Sequence, residues 1–131
     1  MDKAIEDVGL GTVGWFAFAA GTVGLAVGQT LRLSVANLSP LPATVLCGIW
    51  QNPHPISLLQ DSYTLGSGEA RNCDVKASEL SRETFDKTGR AQIRALVRTS
   101  SRTVCGTLEV FDSKTGRTSI SLPLQEVVHH Q

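Results

Sequence analysis

From Thr30 to Asn37 the chain reads TLRLSVAN, apolar and polar residues by turns, which is the two-residue period of a strand with one buried face. Leu38-Ser39-Pro40-Leu41-Pro42 ends that strand, because proline has no N–H to give to a ladder. Thr44 to Trp50 is a second strand, apolar on both faces and therefore expected in the middle of a sheet. After the turn Gln51-Asn52-Pro53-His54-Pro55, Ile56 to Leu65 alternates weakly, and Gly66-Ser67-Gly68 turns the chain into Glu69–Val75.

Ala77 to Phe85 is the one stretch with helical character, and Ser78 with Glu79 suggests a loop holding a short 3₁₀ or α piece. Ala91 to Arg98 alternates again, and Thr103 to Phe111 follows the polar link TSSR. Asp112 and Gly116 then bracket a short turn, with Gly116 suited to positive φ, and Arg117 to Leu122 returns as the last strand. Seven or eight short strands with almost no helix predict an all-β, antiparallel β-sandwich over residues 21–124. An extended apolar segment, 1–20, precedes it, and a tail, 125–131, follows.

The stretches GQTLRLSVANLSP at 28–40 and LEVFDSKTGRTS at 108–119 resemble segments of small, uncharacterised bacterial immunoglobulin-like β-sandwich proteins. The resemblance covers about residues 20–124 and implies an immunoglobulin-like fold, with the first stretch a strand after a tight turn and the second a terminal hairpin. It brings no catalytic residues with it.

From Val8 to Leu31 there is no charged residue, a run long enough to cross a bilayer as a helix. Glycines at 9, 11, 14, 21, 24 and 28 and the absence of a polar flank before the Thr30 strand argue for extended chain instead. Ala17-Phe18-Ala19 imitates a signal cleavage site, but MDKAIED sets one lysine against three acids where a signal needs a positive start. The better reading is two extended pieces, Val13–Ala19 and Thr22–Val27. Phe16 and Phe18 then point to one side, and Val13, Trp15 and Ala17 to the other. Such a strand either pairs within its own domain or leaves it to complete the sheet of a neighbouring copy. Repeated head to tail, the second choice builds a fibre.

Composition narrows the classes. The chain has 131 residues, 41% of them apolar, enough for one core, and its 12 basic residues balance 12 acidic ones, so no overall basic field draws nucleic acid. Only 18% of residues are charged, which with the many Gly, Ser and Thr has the look of a secreted or cell-surface module.

Cys47, Cys73 and Cys105 lack the CxxC spacing of a zinc site. If Val45, Cys47 and Ile49 point inward on one strand, and Cys73 and Val75 on another, Cys47 and Cys73 can meet, whereas Cys105 alternates with Val104, Leu108 and Val110 and faces away. A Cys47–Cys73 disulfide and a pair of buried free thiols are both open readings.

Enzyme signals are thin. His54 sits in a proline-flanked turn, and His129 and His130 end the chain, away from any GxSxG or HExxH pattern. The expectation is a non-catalytic protein with no cofactor and no metal. Arg90, Arg94 and Arg98 share one strand face, either an ordinary polar sheet face or one whose planar guanidinium groups bind a carboxylate or sulfate. Trp50 and Tyr63 offer aromatic platforms for a sugar, although a tryptophan on a central strand is more often core.

Two roles follow. The first is a structural subunit, extracellular or on a cell surface, that binds copies of itself by adding its N-terminal strand through Val13, Trp15, Phe16 and Phe18. The alternative is a monomeric recognition module that binds a carbohydrate or protein partner through the arginine-bearing face.

Overall fold

The computed structural model describes residues 15–52 and 56–127; Val13, His54, His129 and His130 lie outside them. Ten strands run in chain order: β1 (Phe16–Ala19), β2 (Val23–Ala26), β3 (Gln29–Asn37), β4 (Ala43–Asn52), β5 (Ile56–Leu65), β6 (Ala70–Lys76), β7 (Arg90–Thr99), β8 (Val104–Asp112), β9 (Thr118–Pro123) and β10 (Gln125–Glu126). They form two antiparallel sheets. The first has the order β10-β1-β7-β4-β5, with β2 also on β7, and the second the order β6-β3-β8-β9.

The alternation read from the sequence is what joins the sheets. Leu31, Leu33 and Val35 of β3 and Leu108 and Val110 of β8 meet Val45, Cys47 and Ile49 of β4 and Ile93, Ala95 and Val97 of β7 in one core. Leu31, Leu33, Ile49, Ile93 and Leu108 are wholly buried, each contributing roughly 1.5–3 kcal/mol of transfer free energy. The architecture is an all-β sandwich, as the strand pattern predicts.

Among the described residues the strands number more than the seven or eight expected of the sandwich, because both flanking segments join the first sheet, the N-terminal one as the two extended pieces its sequence predicts. The N-terminal segment breaks at residues 20–22, so β1 pairs with Leu96–Thr99 and β2 with Arg90–Ile93 along the same edge of β7. The C-terminal tail supplies β10, which lays Gln125 and Glu126 against Ala19 and Phe18. The sheet therefore runs past both boundaries drawn at residues 20 and 124. Residues 77–85 hold two 3₁₀ turns, Ala77–Glu79 and Arg82–Thr84, within the expected loop.

Side-chain amides and carboxylates set the connections. Asn37, fully buried at the end of β3, donates from Nδ2 to the carbonyls of Leu41, Leu65 and Gly66 and accepts the Ser39 N–H on Oδ1. One amide thus ties the β3–β4 loop to the β5–β6 turn. In the β8–β9 hairpin Asp112 Oδ1 accepts the N–H groups of Lys114 and Thr115, and Gly116 takes φ +75°, a region that costs other residues. Gly106 leaves room on β8 for Leu124, whose Cδ1 would lie 2.6 Å from a Cβ at that position.

Candidate functional site

The outer face of the first sheet is where most of the singled-out residues come together. On β7 the odd positions, Ala91 to Thr99, are buried, so Arg90, Gln92, Arg94, Leu96 and Arg98 point outward. Arg94 lies opposite Trp50 of β4, Leu96 opposite Gly48, and Arg98 opposite Leu46. On the β1 side, Ala17 lies opposite Arg98 and Ala19 opposite Leu96, so only small side chains border the row.

Trp50 owes its place here to Gly48. The indole lies so close over that backbone that a Cβ at position 48 would stand 2.5 Å from its Cη2. Trp50 therefore lies flat on the outer surface beside Arg94, rather than in the core expected of an aromatic on a central strand.

Tyr63 pairs with Val45 and faces the opposite side of the sheet. The two aromatics cannot form one platform, because successive strand positions point to opposite faces. Tyr63 instead carries the Arg71 guanidinium 4.4 Å above its ring centroid, and Arg71 pairs with Asp61 at 3.3 Å.

The three outward arginines of β7 are not equivalent. The stem of Arg90 runs over Gly24, where an added Cβ would meet its Cδ at 2.9 Å. Beside it stands Asp86, which accepts Gln92 Nε2 at 3.2 Å and the Arg90 N–H at 3.2 Å. Hydrogen bonds from the Thr88 hydroxyl, Gln92, and the Arg90 and Thr88 backbone hold the Asp86 carboxyl down at about 2.

Arg94 and Arg98 sit farther along, ~14 Å apart at strand rise, with Arg94 exposed and Arg98 half-buried. Among the described residues neither has an ion pair, whereas Arg32, Arg71 and Arg102 pair with Asp74, Asp61 and Glu126. Arg98 Nε is buried with no hydrogen-bond partner.

The N-terminal candidates lie elsewhere. Trp15 is half-buried just before β1. Phe16 and Phe18 share the inward side, as their spacing predicts, with Phe18 in the core at 9% exposure. Phe16 lies under the Arg102 guanidinium, 4.8 Å from centroid to carbon. The whole of β1 is bonded within its own chain, to β7 on one side and β10 on the other.

The cysteines follow their parity. Cys47 Sγ and Cys73 Sγ are 3.9 Å apart, one in each sheet, and Cys105 is exposed. The contact between the two thiols, in which either sulfur can donate, raises Cys47 together with burial and lowers Cys73. Tyr63, pushed up by burial, keeps its hydroxyl beside both sulfurs.

Asn37 and Gly48 escaped sequence reading as organising residues, and Asp86 was legible only as a turn residue paired with Gly89. The only signal was positional: Asn37 directly before LSPLP, Asp86 before Gly89, and Gly48 two residues before a tryptophan. Among the described residues no group of three or more His, Cys, Asp or Glu could hold a metal ion, and no helix is long and apolar enough to cross a membrane. Comparison of the chain with protein-family models, with curated proteins and with solved structures finds no match.

Proposed function

We propose that this protein is a non-catalytic, immunoglobulin-like recognition module that binds an acidic polysaccharide outside the cell or on its surface, on the outer face of the first sheet. The observation that carries this reading is the pair Arg94 and Arg98, pointing outward beside Trp50 with no carboxylate partner among the described residues. Arginines carried ~14 Å apart along one strand suit an extended chain that repeats its charge, and an indole lying flat on the sheet offers a sugar ring a stacking surface. Arg90, its stem over Gly24 at the start of β7, stands at the rim.

Titration calorimetry with a uronic-acid or sulfated polysaccharide tests it, set against the Arg94→Ala, Arg98→Ala double variant. Each lost charge-assisted contact costs about 1.5–3 kcal/mol, so affinity falls roughly tenfold or more per arginine. No binding by the wild-type chain, or equal binding by the double variant, overturns the reading.

A second reading is a structural subunit that self-associates by exchanging β1. It is favoured by the form of β1 itself: four residues, anchored by Phe18 and joined to β2 through an exposed glycine, Gly21. The bonds β1 makes to β7 and β10 would be the same if a neighbouring copy supplied them, and a chain of such exchanges forms a fibre. Negative-stain microscopy with light-scattering mass on the full chain separates the two. Fibres or large oligomers that disappear on removal of residues 1–20 support exchange, and a monomer rules it out.

A further inference from the structure

We propose that Cys47 and Cys73 form an oxidisable dithiol that closes into a covalent link between the two sheets, with Cys73 as the thiol that reacts first. The site is independent of the arginine face, since Cys47 points to the opposite side of β4 from Trp50. Two sulfurs 3.9 Å apart need a side-chain adjustment of about 2 Å to reach bonding distance. No backbone element has to be unmade to bring them together. The pair spans the sandwich, from the central strand β4 of one sheet to the edge strand β6 of the other.

The order of reaction follows from the surroundings. Cys73 retains 8% exposure on an edge strand, whereas Cys47 has none. The contact with Cys47 and the nearby Arg71 guanidinium favour the Cys73 thiolate, while burial and the Asp61 and Asp74 carboxylates oppose it. Cys47, wholly buried and 3.9 Å from Cys73, is the resolving partner.

The oxidant is a small-molecule disulfide of the glutathione class. Cys73 loses its proton and its thiolate attacks one sulfur of that disulfide, forming a mixed disulfide and expelling one thiolate. Cys47 then loses its proton and attacks Cys73 Sγ, forming the Cys47–Cys73 bond and expelling the second thiolate. The two protons leave with the two released thiols, and two electrons pass from the protein to the oxidant. The product ties β6 to β4 across a loop that contains the whole of edge strand β5.

The test is peptide mapping by mass spectrometry after incubation of the full chain with oxidised glutathione at neutral pH, acid quenching and alkylation in denaturant. The expected product in the wild type and in Cys105→Ser is a linked Cys47–Cys73 peptide. In Cys47→Ala, Cys73 stops at the glutathione adduct. In Cys73→Ala, Cys47 reacts roughly tenfold more slowly or worse, as a buried thiol does. The proposal is overturned if both thiols remain alkylatable after Cys105 has reacted fully, a result that needs no variant to fold. It is also overturned if Cys47 reacts in Cys73→Ala as fast as Cys73 does in Cys47→Ala.

Discussion

Trp50 lies on Gly48: the indole occupies the space that any larger residue at position 48 would need, with its Cη2 2.5 Å from the place of a Cβ. Gly48→Ala must therefore lift the ring off the sheet, since the rigid indole has nowhere to slide along a buried backbone. We expect a destabilisation of ~1–3 kcal/mol by urea unfolding, with a red shift in tryptophan emission as the ring meets water. An unchanged emission maximum together with unchanged stability would refute the packing. The same variant should weaken polysaccharide binding, since the ring beside Arg94 would be displaced.

Asn37 offers a separate prediction. Its amide makes four hydrogen bonds to the main chain of two loops from a fully buried position. Asn37→Ala leaves the Leu65 carbonyl and the Ser39 N–H without these partners in a dry site, at a cost of roughly 2–4 kcal/mol. Asn37→Asp should be no rescue, because a carboxylate cannot donate to three carbonyl oxygens. Denaturant midpoints for the three proteins decide this, and an alanine variant as stable as wild type would contradict the assignment.

Asp86 should make stability fall in acid. Its folded carboxyl titrates at about 2, below the ordinary 3.8, because the Thr88 hydroxyl, Gln92 and two backbone N–H groups hold the charged form. A folded value lower than the unfolded one adds stability that is complete above about pH 4 and disappears as pH falls through 2. Asp112, held down by the Thr115 and Lys114 N–H groups, acts in the same direction. The urea midpoint of the wild type is therefore flat near neutrality and drops below about pH 4. In Asp86→Asn the midpoint starts lower and drops less; parallel curves for the two proteins would remove Asp86 from the account.

Salt discriminates the arginine face from simple stacking. Binding through Arg94 and Arg98 weakens as ionic strength rises and exposed charges are screened over ~10 Å at 0.1 M salt. The double alanine variant should lose most of that salt dependence, and Arg90→Ala should keep it, because Arg90 lies at the end of the row, away from Trp50, with its stem over Gly24. If Arg90→Ala behaves like the double variant, the three arginines act together and the distinction drawn among them is wrong.

Much of the fold was legible because strand periodicity is local. The TLRLSVAN alternation reappears in β3 as buried Leu31, Leu33 and Val35 between more exposed Arg32, Ser34 and Ala36. The same parity brought Cys47 to Cys73, left Cys105 outside, and set Arg90, Arg94 and Arg98 on one face.

Parity was silent wherever a strand is apolar on both sides. In β4 the expectation that a tryptophan on a central strand lies in the core competed with the register that turns Val45, Cys47 and Ile49 inward, and the register set Trp50 on the outer face beside Arg94. Nor could parity show that Asp86, in a loop, would close on the Thr88 and Arg90 N–H groups and Gln92, or that Arg94 and Arg98 would have no ion-pair partner among the described residues.

By itself, then, the sequence determined what depends on neighbours along the chain: where strands begin and end, which residues share a face, and where Gly116 lets the chain reverse. Only the tertiary structure decided what depends on residues far apart. It placed β10 against β1, joined β1 and β2 to one edge of β7, and closed Asn37 over two loops. The physical reason is that a strand's backbone presents the same N–H and C=O groups whatever its sequence. Which strands pair is therefore settled by how all the apolar faces can be buried at once, a condition no single segment carries.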